Sequence, residues 1–438
     1  MFKSFFTIVL LFAWSQKPFC QAIPIKATNF SISNQGLKID FTLQNDKFLR
    51  LLSMLPEKYA PEKKLPNPGF DSGNEVMMQC SGENQASHHG AKFTGGNPGM
   101  RLVFVGKEES NMPQGKKIIL VQKDTVKNLK VESVYELNSV SPTVRRYTKV
   151  TNEGSVSVGI DYLSSAILNN YNDITNGSPE ENIRIHYAFN SWQAEAQWQT
   201  AKPSEMGWND NGVFNICSAT ISNIGSWSSI KYLPMGMIEN VKAGVTWFWQ
   251  IEHNGSWYSE ASNYSDKSTY LYLGGPDAMH SQAFKNLKPG ETYQTVPVAL
   301  GCVKGGFDEA AAALTKYRRT ILQPHASFKT CPVVFNDYMN CLGGDPTTEK
   351  ELPLIEAASM IGCNYYVIDA GWYAEKNETW WDAVGLWQPS KTRFDKGLQS
   401  LLVIIRGKGM IPGLWLEPEV IGINSPLNIK PDNWFILQ

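Results

Sequence analysis

Hydrophobic periodicity changes near residue 306, and this change limits the folds that the chain can adopt. Between residues 25 and 305, apolar and polar residues alternate, as in Val245, Trp247 and Trp249. Alternation of this kind, bounded by Gly, Asn, Pro and Ser clusters, is typical of half-buried antiparallel strands. Roughly 280 such residues predict a large antiparallel β-sandwich.

The segment after the change alternates between strands and helices. Asp308 is predicted to cap a first helix, which Pro324 ends. A second helix is predicted from "TTEKELPLIEAASMIG", in which Thr348 and Glu351 have capping-box spacing, and a third from "GLQSLLVIIRGKG". The apolar stretches "CPVVFND", "NYYVID" and "IPGLWLE" predict strands of a parallel sheet that is buried on both faces.

Each predicted parallel strand ends at a carboxylate. The three residues are Asp337, Asp369 and Glu417. The C-terminal ends of parallel strands form one rim, and the active sites of α/β folds lie at that rim. We therefore expect these three side chains to belong to a common site.

A tryptophan-rich loop, Trp372–Lys396, follows the second of these strands. It contains Trp372, Trp380, Trp381 and Trp387. Carboxylates accept hydrogen bonds from hydroxyl groups, and indole rings stack on the apolar face of a pyranose. This combination predicts a sugar pocket, although the same rings could instead pack the loop onto the sheet.

Composition and motifs argue against several other functions. The formal charge of −1 lacks the basic footprint that nucleic-acid binding requires, so we expect no nucleic-acid partner. The histidine pair His88–His89 lies in a Gly/Asn-rich loop, and no motif indicates a metal site, a phosphate loop or a serine nucleophile. We therefore expect neither a metal nor a cofactor.

The N-terminal residues have the layout of a secretory signal. Lys3 precedes an apolar stretch from Phe5 to Trp14, and small residues precede a cleavage point near Ile23. This layout predicts a signal peptide and a secreted or periplasmic protein with no membrane partner after cleavage. Cys20 lies within this predicted signal peptide, and the remaining six cysteines are scattered along the chain, so we expect mostly buried thiols.

These patterns together predict four regions. They are a signal peptide at 1–22, a β-sandwich at 23–305, a connecting helix at 306–330 and an α/β region at 331–438.

The C-terminal motifs resemble the start of the catalytic barrel of family 36 glycoside hydrolases, the bacterial α-galactosidases or melibiases. These motifs are "FNDYMNCLGGDPTTEKELPLIEAASMIGCNYYVIDAGWYA", "WWDAVGLWQPSKTRF" and "GKGMIPGLWLEPEVIGINSPL". Upstream, "NSWQAEAQW" and "GVTWFWQIEHNGSW" resemble the N-terminal β-supersandwich of that family. The resemblance implies a β-supersandwich followed by the first three β/α units of a (β/α)8 TIM barrel.

The resemblance also implies an activity, the retaining hydrolysis of terminal α-galactosyl residues from oligosaccharides or polysaccharides. Two carboxyl groups roughly 5–5.5 Å apart serve as nucleophile and acid/base in such reactions. In this family both are aspartates on later barrel strands. We therefore expect the catalytic residues beyond Gln438 and expect this chain to be inactive alone. The implied partners are α-galactoside sugars, and homo-oligomerisation of the full-length protein stays open.

Several sugar-binding residues are implied by the same resemblance. Asp369 and Trp372 match the Asp-Asp-Gly-Trp motif that binds galactose hydroxyls, although Ala370 replaces its second acid. Trp387 matches a tryptophan that follows a Gly-acid pair, with Leu386 in place of that acid.

The first and third strands supply the remaining implied site residues. Asp337 and Tyr338 occupy first-strand site positions of the family. Glu417 and Glu419 belong to the Trp-x-Glu-Pro-Glu strand, which shapes the site. Two alternative functions stay open: an α-N-acetylgalactosaminidase, which needs room at the sugar 2-position, and a non-catalytic glycan-binding module.

Overall fold

The chain divides into an N-terminal unit, Met1–Leu322, and a C-terminal unit, Gln323–Gln438. A computed structural model describes residues 28–45, 47–85, 92–209 and 216–431. The predicted signal peptide and the pair His88–His89 lie outside the described residues. Among the residues described, no helix is both long and apolar enough to cross a bilayer.

Antiparallel strands make up most of the N-terminal unit, as the alternating pattern predicted. The strands are β1 (Thr28–Asn34), β2 (Leu37–Gln44), β3 (Phe48–Pro56), β4 (Met78–Cys80), β5 (Val103–Met112), β6 (Gly115–Asp124), β7 (Leu129–Asn138), β8 (Thr143–Asn152), β9 (Val158–Leu163), β10 (Ala166–Asn169), β11 (Ile183–Phe189), β12 (Gln197–Ala201), β13 (Ala219–Asn223), β14 (Tyr232–Asn240), β15 (Val245–Ile251), β16 (Trp257–Asn263), β17 (Thr269–Gly274), β18 (Lys285–Leu287), β19 (Thr292–Gln294) and β20 (Val298–Lys304). The helical elements are α1 (Asn97–Met100), α2 (Pro179–Asn182), α3 (Ala278–Ser281), α4 (Phe307–Ile321) and a 3-10 turn at Ser204–Met206.

These strands form four sheets. The largest has the order β12-β11-β14-β15-β20-β8-β7-β6-β5, and β19 also pairs with β8. A four-stranded sheet has the order β10-β17-β16-β13, and two three-stranded sheets have the orders β1-β2-β3 and β18-β9-β4. The prediction of an antiparallel β-sandwich is therefore confirmed.

The alternating apolar residues form the core of this unit. In β15, Trp247 and Trp249 are buried and belong to one cluster with Ile39 and Phe41 of β2. The buried Trp247 Nε1 donates to the Met54 carbonyl at 2.5 Å, which satisfies its polar group. Burial of this apolar surface stabilises the sandwich by about 25 cal/mol per Å².

Helix α4 packs on the largest sheet. Its residues Ala310, Leu314 and Tyr317 are buried together with Phe248 of β15. The prediction that Asp308 caps this helix is wrong. Gly306 is the N-cap, and its N–H donates to Glu309 Oε2 at 2.9 Å. Glu309, rather than Asp308, therefore accepts a hydrogen bond from the backbone at the start of the helix.

A buried ion pair lies inside the N-terminal unit. The Glu75 carboxylate accepts hydrogen bonds from the Arg146 guanidinium, from Tyr135 Oη at 2.6 Å and from Ser133 Oγ at 2.7 Å. Gln122 Nε2 adds a fourth donor at 2.8 Å. Both charged side chains are essentially inaccessible to solvent, so their desolvation is offset by direct pairing and by these hydrogen bonds.

The C-terminal unit alternates strands and helices, as predicted. Its elements are α5 (Ser327–Thr330), β21 (Val334–Asn336), α6 (Thr348–Met360), β22 (Tyr365–Ile368), α7 (Trp380–Ala383), α8 (Leu398–Gly407) and β23 (Ile411–Leu414), with irregular turns at Tyr338–Leu342 and Pro426–Ile429.

The three strands form a parallel sheet in the order β21-β22-β23. The parallel prediction is therefore confirmed, but burial on both faces is wrong for the two outer strands. Tyr366 and Ile368 of β22 are buried, whereas Val334 of β21 and Ile411 of β23 are exposed. Among the described strands of the C-terminal unit, only β22 has a neighbour on each side, and this accounts for the difference.

The N-cap of helix α6 lies one residue earlier than predicted. The N-cap is Thr347, whose Oγ1 accepts from the Lys350 N–H, and the predicted cap Thr348 is the first helical residue. Glu351 is not part of a capping box, because its side chain is buried beneath the sheet end. On α8, Leu398, Leu401 and Ile405 form the buried face.

Candidate functional site

The parallel register brings the ends of the three C-terminal strands together. Asn336 ends β21 and aligns with Val367, while Ile368 ends β22 and aligns with Leu414 of β23. Asp337 and Asp369 therefore follow directly after neighbouring strands. Glu417 lies three residues beyond the end of β23, so the third strand is shorter than predicted.

The Asp369 carboxylate is half-buried and held in one orientation. Asn336 Nδ2 donates to Asp369 Oδ2 at 2.5 Å, and the Ala370 N–H donates to Oδ1 at 2.6 Å. The Asp369 N–H in turn donates to Asp337 Oδ1 at 2.7 Å. Two hydrogen bonds therefore orient the Asp369 carboxylate at the rim, and a third holds the Asp369 backbone.

Asp337 lies beneath Asp369 and is only 2% exposed. Its carboxyl group pairs with that of Glu351, which is 0% exposed and accepts from Tyr366 Oη at 2.6 Å. The predicted sugar-binding residue Asp337 thus faces the interior of the unit. In this structure it supports the backbone of Asp369.

Each of the two buried carboxyl groups has one oxygen without a hydrogen-bond partner among the described residues, Asp337 Oδ2 and Glu351 Oε1, and one proton held between the groups would satisfy both. Burial, and then the hydrogen bond to Asp337, raises the pKa of Glu351 to about 9. Burial also raises the pKa of Asp337, partly offset by the hydrogen bond from Glu351. Double ionisation of two adjacent carboxyl groups is unfavourable in a desolvated site, so burial favours retention of one proton by the pair.

Gly371 is required by the backbone just after Asp369. Its φ is +101°, and a Cβ placed there would lie 2.1 Å from the Gly344 carbonyl oxygen. A side chain at this position would displace the turn that precedes α6. The preceding residue, Ala370, is buried, so the position that carries the second acid of the family motif is closed to solvent here.

The loop tryptophans form an interlocked aromatic cluster. Trp372 is only 3% exposed, and its Nε1 donates to the Trp415 carbonyl at 3.0 Å. The Trp387 ring stacks on Trp372 with centroids 6.1 Å apart and meets Trp415 edge to face. Trp372 therefore packs against other rings, while the half-buried Trp387 retains an accessible part.

Tyr338 and the tryptophan pair of α7 flank this cluster. Tyr338 is half-buried and meets Trp380 edge to face at 5.8 Å, and Trp380 also contacts Trp415. Trp381 is about half exposed. The loop-packing interpretation thus describes Trp380, whereas Trp381 is free to contact a ligand.

Tyr373 is a rim residue that the sequence analysis did not single out. Its hydroxyl is buried and has no hydrogen-bond partner among the described residues. Burial, followed by the negative charges of Glu417 and Asp369, raises the pKa of Tyr373. Burial and the neighbouring Glu419 likewise raise the pKa of Glu417. Tyr373 thus offers an unsatisfied hydroxyl near two predicted site carboxylates.

Two charged side chains hold the loop Trp372–Lys396 of the C-terminal unit. The Glu375 carboxylate accepts from Ser390 Oγ at 3.0 Å and from the Lys391 N–H at 3.1 Å, and also from Thr392. The buried Arg393 donates to the Ala374 carbonyl at 2.6 Å. The loop is therefore fixed at both ends, which places the aromatic cluster beside Asp369.

Four residues of this site escaped the sequence analysis as functional candidates. Asn336 and Trp415 lie within predicted strand motifs, Glu351 has the spacing of a capping-box residue, and Tyr373 follows Trp372 in the loop. The local signal for Asn336 and Tyr373 is adjacency to Asp337 and Trp372, and Trp415 lies two residues before Glu417, whereas Glu351 has no such neighbour. In the described part of the chain, no three His, Cys, Asp or Glu side chains are grouped so that they could hold a metal ion.

Solved structures with a similar fold are α-galactosidases. The chain matches α-galactosidase AgaA from Geobacillus stearothermophilus with a TM-score of 0.72 and 15% identity, over 93% of this chain and 59% of that chain. The enzyme from Lactobacillus brevis matches with a TM-score of 0.69 and 16% identity, over 91% and 56%. The two units thus define a protein with a β-sandwich and an α/β domain.

Sequence comparison narrows this class to a family. The family model described as Melibiase matches residues 292–438, so this part of the chain is similar to that family. α-Galactosidase 1 from Pediococcus pentosaceus is 22% identical over 349 residues, which cover 78% of this chain and 44% of that protein. The resemblance to family 36 α-galactosidases is confirmed, and the chain spans less than half of that relative.

Proposed function

We propose that the protein is an α-galactosidase that hydrolyses terminal non-reducing α-galactosyl residues with retention of configuration. The observation that carries the proposal is the Asp369 carboxylate, oriented by Asn336 and Asp337 at a parallel strand end. It lies within the segment that matches the melibiase family. Structures of AgaA variants in complex with raffinose and stachyose support the choice of substrate class.

The proposal extends to the finer architecture. The N-terminal unit corresponds to a β-supersandwich, and β21 to β23 with their helices correspond to the first three β/α units of a (β/α)8 barrel. The parallel register of the three strands and the placement of acids after β21 and β22 support this assignment.

In this proposal the described rim binds and orients the sugar. Asp369 accepts hydrogen bonds from two galactose hydroxyls, and Trp387 and Tyr338 contact the apolar face of the ring. Glu417 and the unsatisfied Tyr373 hydroxyl border the same space. Retaining hydrolysis also needs a nucleophile and an acid/base, and we assign neither role to Glu417 or Glu419.

We further propose that the protein is exported. The support is the N-terminal sequence, in which one lysine precedes an apolar stretch and small residues. N-terminal sequencing of the mature protein should begin near Ile23, and an intact Met1 would contradict export by this signal.

Substrate hydrolysis tests the proposed activity. The protein expressed from its complete gene should release galactose from raffinose and p-nitrophenol from its α-galactoside, and NMR should detect the α-anomer of galactose first. Faster hydrolysis of the α-N-acetylgalactosaminide would favour that alternative. Binding of galactose without any hydrolysis would indicate a glycan-binding module instead.

A further inference from the structure

We propose that two loops of the N-terminal unit form a second binding surface, which takes neutral glycan chains. The loops, here called the tryptophan loops, are residues 190–196 between β11 and β12, and residues 224–231 before β14. They expose Trp192 by 80% and Trp227 by 47%. This surface does not depend on the proposed hydrolase activity.

The two exposed indoles lie side by side. Their centroids are 5.7 Å apart and their planes are tilted by 50°. Behind them, Phe189 is 40% exposed and stacks on Tyr232 at 5.2 Å. Aromatic faces of this kind stack on the apolar faces of sugar rings, and the tilt suits consecutive residues of a chain that is not flat.

A concavity of about 340 Å³ adjoins the rings. Phe189 and Ile230 supply its apolar wall, and Asn190, Ser191 and Gln197 supply neutral hydrogen-bonding groups. A cleft with an apolar wall and a few polar groups has the composition of a ligand site.

Hydrogen bonds hold the tryptophan loops against each other. The Asn190 N–H donates to the Lys231 carbonyl at 2.9 Å, and its side-chain amide donates to the Ser229 carbonyl. Asn190 Oδ1 accepts from the Ala196 N–H at 3.0 Å. The rings therefore project from an ordered base, which lowers the entropy lost when a ligand binds.

The first loop also contains strained backbone. Gln193 and Ala196 have φ values of +58° and +52°, although neither residue is glycine. Such conformations are unfavourable for residues other than glycine and concentrate at ligand-binding segments. The loop thus keeps an unfavourable backbone while it exposes a large apolar ring.

The chemistry of both loops favours an uncharged, hydroxyl-rich ligand. The sequences "NSWQAEA" and "IGSWSSIK" place each tryptophan among serine, asparagine and glutamine residues, with Glu195 and Lys231 as the only charges. These charges are opposite in sign and give the surface no net charge. A neutral glycan meets these requirements, whereas an acidic or basic partner has no complementary field.

Affinity electrophoresis can test this surface with the whole chain. The protein is run in native gels that contain galactomannan, xyloglucan or soluble starch. We expect retardation in at least one gel, and Trp192→Ala and Trp227→Ala should each weaken the apparent affinity about 10-fold, while Trp192→Phe retains most of it. Phe284→Ala, which removes another exposed ring of this unit, is the matched control and should bind like wild type.

Two further measurements make the outcome decisive. Asp369→Asn should leave the retardation unchanged, and this result separates the tryptophan loops from the candidate site of the C-terminal unit. Circular dichroism should show unchanged folding of the variants. No retardation in all three gels, or equal retardation of Trp192→Ala and wild type, would overturn the proposal. Concentration-dependent dimerisation that is abolished by Trp192→Ala would also overturn it, in favour of a contact between copies.

Discussion

Two buried carboxyl sites, one in each unit of this chain, are neutralised in different ways. In the N-terminal unit, Glu75 is paired with the permanently charged Arg146 and with three further donors. In the C-terminal unit, Asp337 and Glu351 face each other without a cation, and a shared proton takes its place. The arginine of the first arrangement remains charged across the physiological range. The second depends on pH and lies directly beneath the candidate site.

The comparison shows that a carboxylate in a structural core and a carboxylate beneath a candidate site meet different requirements. An arginine satisfies a buried carboxylate inside a sandwich core, where nothing else competes for that carboxylate. Beneath the rim, Asp337 must accept from the Asp369 backbone while remaining buried, and a neutral acid, Glu351, supplies its second donor. Titratable groups with strongly perturbed pKa values are typical of functional sites.

Loss of the cation should give the largest effect. Arg146→Met leaves the Glu75 carboxylate buried without a counter-charge, so we expect the free energy of unfolding of the N-terminal unit to fall by about 3–5 kcal/mol. Urea denaturation measures this loss. The matched control is Arg145→Met on the same strand, whose partly exposed ion pairs should contribute about 0–1 kcal/mol. Equal losses in both variants would contradict the distinction.

Loss of the shared proton should have a smaller effect. Glu351→Leu removes the donor to Asp337, and we expect it to destabilise the C-terminal unit by about 1–3 kcal/mol. Glu351→Gln keeps an N–H donor in the same place and should cost less than about 1 kcal/mol. If the glutamine variant unfolds as easily as the leucine variant in urea, Glu351 does not act as a neutral donor.

Stability of the C-terminal unit should also depend on pH. The folded-state pKa of Glu351 is about 9 against an ordinary value of 4.5, so the folded unit retains a proton that the unfolded chain releases between these values. Its contribution to stability is complete below pH 4.5 and declines as pH rises towards 9. Unfolding curves across this range should show the decline in wild type and much less of it in Glu351→Gln. A flat wild-type profile would argue against the shared proton.

The smallest effect is expected at the loop anchor, and it has the opposite sign. Hydrogen bonds from Thr392, Lys391 and Ser390 lower the pKa of Glu375 to about 2. The contribution of these hydrogen bonds to stability is therefore present above pH 4.5 and is lost as pH falls towards 2. Glu375→Gln should change stability by less than about 1 kcal/mol at pH 7 and flatten the acid limb of the profile. An unchanged acid limb would show that Glu375 does not hold the loop.

Local pattern was sufficient to predict the order of elements and the position of Asp369. Period-two alternation identified the antiparallel strands, and apolar stretches ending in acids identified β21 and β22. Both signals are local because each strand carries its own burial pattern. The identity of Asp369 as the residue after β22 followed from that pattern directly.

Side-chain direction at the rim could not be predicted from the same pattern. Asp337 and Asp369 follow their strands identically in sequence, yet Asp337 points inward because Glu351 of α6 and the Asp369 N–H receive it. Trp372 and Trp192 both lie outside the regular strands and helices, and only the tertiary packing buries one and exposes the other. Contacts between segments that are distant in sequence determine the direction and burial of these side chains, and the neighbouring residues in the sequence do not reveal those contacts.

Calorimetric titration of galactose tests the central claim, that Asp369 is the hydroxyl anchor of the rim. Asp369→Asn removes the charged acceptor, and hydrogen bonds to charged groups contribute about 1.5–3 kcal/mol. We therefore expect the dissociation constant for galactose to rise roughly 10- to 150-fold, with unfolding unchanged and with Asp395→Asn binding as wild type does. Equal galactose affinity in wild type and Asp369→Asn would contradict the account.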